Sequence, residues 1–106
     1  MNKGNVWVFA EQDGGHLEEC SLELLGRGRV LADGLGVKLE ALLLGERVAH
    51  LSSVLIAHGA DTVYAADDGV LGEYQTLPYA RVVTELVRSH HPQILLFGAT
   101  PTGRDL

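Results

Sequence analysis

A few residues in this chain have the type and spacing that chemistry requires. Gly98-Ala99-Thr100-Pro101-Thr102-Gly103-Arg104-Asp105 has the glycine spacing of a phosphate loop. In such a loop backbone N–H groups cradle phosphates, a lysine reaches the outer phosphates and a hydroxyl binds Mg²⁺. Here Arg104 and Asp105 stand where the lysine and the hydroxyl belong, and an acid at that point repels phosphate. The segment is therefore expected to be a tight strand-to-helix turn. Backbone N–H groups at the helix start, with Thr100, Gly103 and Arg104, are weak candidates for holding some anion.

The other polar clusters resolve into structural roles. His90 and His91 are adjacent, so on a helix they point about 100° apart and cannot share a metal. They suit a helix C-terminus, which favours cations. His50 and His58 lie on one predicted helix with no carboxylate or cysteine placed to complete a metal site. Cys20, the single cysteine, is near a helix start, but Glu18 and Glu19 disfavour its thiolate, and it reads as a small half-buried side chain. Glu18-Glu19 and Asp67-Asp68 read as solvated turns, with no histidine or second acid paired to either for acid–base work. Trp7 and Phe9 alternate along a central strand and read as core. No catalytic set and no metal site emerges.

Composition narrows the partners. Fourteen acids against eight Lys and Arg give a net charge of −6, and the bases are scattered, which argues against nucleic acid and against an anionic membrane surface. No segment approaches the roughly 18 apolar residues of a spanning helix. The N-terminus lacks a signal-peptide core and an Arg-rich transit pattern, and one cysteine permits no internal disulfide, so a reducing, cytoplasmic setting is expected. With 106 residues, 46% of them apolar, the chain forms one core and one domain, 1–106.

The elements that position these residues alternate in type. Val6-Trp7-Val8-Phe9-Ala10 is an apolar run suited to a strand buried on both faces, followed by a turn at Glu11-Gln12-Asp13-Gly14-Gly15. Ser21 is the expected N-cap of a helix marked by Leu24, Gly28, Leu31, Ala32 and Leu35 and stopped by Gly36. A second strand over 39–44 precedes a helix marked by Val48, Leu51 and Leu55, and a third strand covers 62–66. Tyr79, Val82, Val83, Leu86, Val87 and His90 mark a third helix, with Thr76 as cap, Pro78 in its first turn and Pro92 as its stop. A fourth strand covers 93–98, and Thr100-Pro101-Thr102-Gly103 opens a further helix.

This β-α-β-α-β-α-β pattern predicts a three-layer, Rossmann-like α/β fold with a parallel sheet in strand order 3-2-1-4. In that order strands one and four are neighbours, and the loops leaving them, 11–16 and 99–105, flank the switch point where open α/β sheets bind ligands. No Gly-x-Gly-x-x-Gly follows strand one. The Gly26-Arg27-Gly28 pair falls within helix one, where Gly28 is expected to permit close packing on the sheet.

Several segments, taken in order, resemble the alpha subunit of electron-transfer flavoproteins. They are Val6-Trp7-Val8-Phe9-Ala10-Glu11, Leu22-Glu23-Leu24-Leu25-Gly26, Gly59-Ala60-Asp61, and Leu96-Phe97-Gly98-Ala99-Thr100 followed by Gly103-Arg104-Asp105-Leu106. The resemblance runs from about Val6 to Leu106, and its last segment is the most specific.

It implies the N-terminal domain of that subunit, truncated before a C-terminal domain that binds FAD in the complete protein. A beta subunit that commonly carries AMP, or a second flavin in the bifurcating branch, would pack against it. The implied whole-protein function is to carry electrons from acyl-CoA dehydrogenases or similar flavoenzymes to a quinone oxidoreductase. For this chain it implies a scaffold and docking role: not an enzyme, with no cofactor of its own. Arg104 and Asp105 would then close an inter-domain or inter-subunit contact. The alternative is a stand-alone nucleotide-binding module with a fold like that of the universal stress proteins. Strand four at a sheet edge exposes unpaired backbone groups, so the isolated chain is expected to self-associate or to be marginally stable.

Overall fold

The computed structural model describes residues 4–106. Strands β1 (Val6–Ala10), β4 (Leu39–Gly45), β5 (Thr62–Asp67) and β6 (Ile94–Leu96) form one parallel sheet in the order β5-β4-β1-β6, the arrangement expected from the alternating pattern. Helix α1 (Glu19–Leu35) and helix α2 (Ser52–Ala57) cover one face and α3 (Thr76–His90) the other, with the short α4 (Pro101–Asp105) following β6. Between β1 and α1 lies a small antiparallel hairpin, β2 (Gln12–Asp13) and β3 (His16–Leu17), where a simple turn was expected. Gly14 and Gly15 hold φ of 58° and 84° at its tip, the left-handed pair that a two-residue hairpin loop requires.

The alternation of β1 builds both cores. Val6, Val8 and Ala10 face α1 with Leu25 and Ala32, whereas Trp7 and Phe9 face α3 with Tyr79 and Val83. Rings of this size bury about 150–250 Å² each, so Trp7 and Phe9 are core side chains, as their spacing implied. Gly28 lets α1 approach the sheet: a Cβ there would lie 2.8 Å from Leu39 Cδ1 and 3.0 Å from Val8 Cγ2. Gly28→Val is expected to lower stability by about 1–3 kcal/mol through overpacking. A melting curve superimposable on that of the parent would show that the helix does not need this approach.

Several local expectations are corrected. Ser21 is not the N-cap of α1; Glu18 occupies that position without a side-chain bond. The Ser21 hydroxyl instead accepts the Glu11 N–H at 2.7 Å and donates to the Glu11 carbonyl at 3.2 Å, because a buried strand end must have its backbone groups paired. The inward stripe of α1 is Ser21, Leu25, Gly28 and Ala32, which leaves Leu31 and Leu35 exposed. Thr76 is the first residue of α3 rather than its cap; Gln75 stands there, and the Thr76 hydroxyl donates to Asp105. The second helix begins as a 3₁₀ turn, Ala49–Leu51, and β6 is shorter than the apolar run 93–98, pairing with β1 only over Ile94, Leu95 and Leu96.

Asp67 and Asp68 are exposed, as a solvated pair would be, and their carboxylates also bind backbone N–H groups. Asp67 accepts the N–H groups of Arg47, Val48 and Ala49 at 2.7, 2.8 and 3.0 Å, and Asp68 accepts that of Val70 at 2.9 Å. The bonds from Ala49 and Arg47 hold the Asp67 carboxyl below the usual aspartate range. Asp61, which accepts the Leu39 N–H at 2.9 Å and pairs with Arg29, is lowered mainly by that backbone bond. A depressed folded-state value means that the contribution is complete above the unfolded value of about 4 and is lost as pH falls through the folded one. Asp67→Asn should therefore flatten the acid limb of the stability profile, measured by urea unfolding from about pH 5 to pH 2. Parallel loss in variant and parent would remove Asp67 from that limb.

Candidate functional site

The C-terminal ends of β1, β4 and β6 open into a cleft of about 470 Å³ at the switch point. It lies between the two loops singled out in the sequence. Phe9, Leu44 and Tyr79 supply apolar lining, and Glu11, Asp13, Glu18 and Glu73 supply carboxylates. No Lys, Arg or His lines it among the described residues. Such a surface repels phosphate and is suited to cationic groups.

The two loops are joined directly. Thr100, the N-cap of α4, accepts the Gly103 N–H at 3.0 Å, and its own hydroxyl donates to the Glu11 carboxylate, with oxygen separations of 2.7 and 2.8 Å. Glu11 is 9% exposed and is braced by Ser21 through its backbone. Gly98 and Gly103 are in close contact: a Cβ on Gly98 would lie 2.9 Å from Glu11 Oε2, and one on Gly103 would meet the Gly98 carbonyl oxygen at 2.1 Å. The glycine spacing of 98–103 thus serves packing between a strand end and a helix start. Replacing Thr100 by Val should lower stability by about 1–3 kcal/mol, because the buried Glu11 carboxylate loses its hydroxyl donor, whereas Thr100→Ser should stay near the parent. Equal chemical-denaturation midpoints for the two variants would contradict this.

The three weak anion candidates are therefore dispersed in role. The Thr100 hydroxyl is committed to Glu11, and the Gly103 N–H to Thr100. Arg104 is exposed and takes part in neither ion pair found among the described residues. Asp105 is engaged within its own chain, accepting from Tyr74 at 2.6 Å and from Thr76. The Thr76 bond, then the Tyr74 bond, hold its carboxyl below the usual range, and burial pushes the Tyr74 phenol up. Cys20, half-buried beside Glu11, has its thiol raised by desolvation and then by the charges of Glu11 and Glu18, so it is a poor nucleophile here. Among the described residues no three His, Cys, Asp or Glu side chains are placed so that they could hold a metal ion together.

One polar cluster was missed in the sequence. Glu40, inside the apolar strand β4 and 5% exposed, accepts from Asn5 Nδ2 at 3.0 Å, Trp7 Nε1 at 3.1 Å and the Tyr64 hydroxyl at 3.3 Å. An acid within a run of leucines was the available signal, since a buried carboxylate must find donors. Trp7, Tyr64 and His90 stack around it, with centroids 4.5–5.9 Å apart.

A fit to FAD can be tested on the cleft itself. A pyrophosphate needs free backbone donors or cations, and the side chains lining this cleft bring four carboxylates and no cation. The residues present do not fit that group.

Comparison with known proteins places this architecture. The family model of the electron transfer flavoprotein domain matches residues 6–106. The electron transfer flavoprotein subunit alpha of Clostridium acetobutylicum is 50% identical over the whole chain, which covers 32% of that protein. Protein FixB of Clostridium saccharobutylicum is 54% identical over 95% of the chain and 30% of its own length. The acryloyl-CoA reductase electron transfer subunit beta of Anaerotignum propionicum is 42% identical over 96% of the chain and 28% of its own length. The chain thus spans about a third of the length of these relatives. Neither the cleft nor these relatives support the universal-stress-protein-like alternative. No described helix is long and apolar enough to cross a membrane. Parallel sheet, strand order, the joint at 98–105 and the family match agree: this chain belongs to the electron transfer flavoprotein domain family.

Proposed function

We propose that this chain is the N-terminal α/β domain of an electron-transfer flavoprotein alpha subunit, acting as scaffold and docking half of a flavin-dependent electron carrier. The observation that carries the reading is the segment 98–105: the most family-specific stretch folds as a joint between β1, β6 and α4, with the Thr100 hydroxyl and the Gly103 N–H bound internally. This reading assigns FAD to a separate C-terminal domain, and the acidic lining of the switch-point cleft supports it. The partner is an electron-transfer flavoprotein beta subunit. The redox partners are acyl-CoA dehydrogenases or similar flavoenzymes and a quinone oxidoreductase. The name of the Anaerotignum propionicum relative, the electron transfer subunit beta of an acryloyl-CoA reductase, supports a CoA-thioester redox partner. A cytoplasmic setting accords with this role.

The test is co-expression of the chain with the electron-transfer flavoprotein beta subunit of the same source, together with calorimetric titration of the chain alone with FAD, AMP and ATP. A stoichiometric complex on a sizing column and no saturable ligand heat are expected. Micromolar nucleotide binding by the chain alone, without complex formation, would overturn the reading.

The isolated chain should also self-associate or be marginally stable. Ile94, Leu95, Leu96 and Phe97 are only half-buried along the edge strand β6 and its exit, whereas the residues of β1 are buried throughout. A monodisperse, cooperatively melting monomer across a tenfold concentration range would contradict this.

A further inference from the structure

We draw no further inference here: the strongest candidate, the apolar groove along the outer edge of β5 and α3 that ends at the exposed Val70 and Leu77, carries nothing because nothing in the structure shows what covers it.

Discussion

Glu40→Ala is expected to lower the unfolding free energy by about 2–3 kcal/mol, because it orphans buried neutral donors and opens a cavity. Two losses add. Truncation leaves the buried Trp7 Nε1–H and the Asn5 amide without their acceptor, at about 1–3 kcal/mol for an orphaned buried donor. It also opens a cavity beneath Trp7 and Tyr64, at about 24 cal/mol per Å³ left unfilled. Glu40→Gln keeps one acceptor oxygen for Trp7 and should cost less than half as much. Combining Glu40→Met with Trp7→Phe removes donor and acceptor together, so the double variant should recover at least about 1 kcal/mol relative to the summed singles. Denaturant unfolding followed by circular dichroism measures every one of these proteins, since Trp7 is the only tryptophan and its removal abolishes that fluorescence. Strict additivity would mean that the indole and the carboxylate do not stabilise each other.

The sequence made the framework readable and left the tertiary polar contacts hidden, for identifiable reasons. Continuous apolar runs such as 6–10 and 39–44 belong to strands covered on both faces, and their alternation with helices leaves few topologies, so the order β5-β4-β1-β6 followed. Gly28 and the Thr100-Pro101 helix start were legible because each depends on local geometry. Ser21 and Thr76 misled because both sit near helix starts and have hydroxyls suited to capping. Those hydroxyls go to Glu11 and Asp105, 10 and 29 residues away, which no local pattern reports. The hairpin at 12–17 has arms of two residues, too short for any periodicity, although Gly14-Gly15 supplied its turn signal. Glu40 was visible as an acid in an apolar run. Its partners became apparent only once the register set Trp7 opposite it.

Three of the four segments that carry the family resemblance turn out to be joints. Asp61 of Gly59-Ala60-Asp61 binds the Leu39 N–H and the Arg29 guanidinium, linking the start of β5 to β4 and α1. Arg29 also donates to the Gly59 carbonyl at 2.9 Å, so both ends of that short segment are held by one side chain. Glu11, at the end of the first segment, receives Thr100 from the last. What these residues share is the closing of distances between elements rather than the handling of a reacting group. The proposed scaffold role asks for that arrangement.

Gly103→Ala should be the most damaging small substitution in the chain's last segment, lowering stability by about 2–3 kcal/mol, the upper part of the usual overpacking range. For a domain of this size that corresponds to a fall in Tm of roughly 10–20 °C. The added Cβ would lie 2.1 Å from the Gly98 carbonyl oxygen, 3.1 Å from its carbon and 3.3 Å from its nitrogen. All three are backbone atoms, so no side-chain rotation relieves the clash; α4 must lift away from the end of β6. Lifting α4 pulls the Thr100 hydroxyl from Glu11 and Asp105 from Tyr74 and Thr76, so one methyl group disturbs both ends of α4. Gly26 and Gly34 provide the control: both lie in α1, where an added Cβ would have nothing within 4 Å, and alanine at either should raise stability by up to about 1 kcal/mol. Amide hydrogen exchange localises the effect, with faster exchange at the Gly103 and Arg104 N–H groups than in the parent. If Gly103→Ala melted with the two α1 variants and kept that protection, Gly98 and Gly103 would not be the packing contact that fixes the start of α4, and the glycine spacing would again need a ligand to explain it.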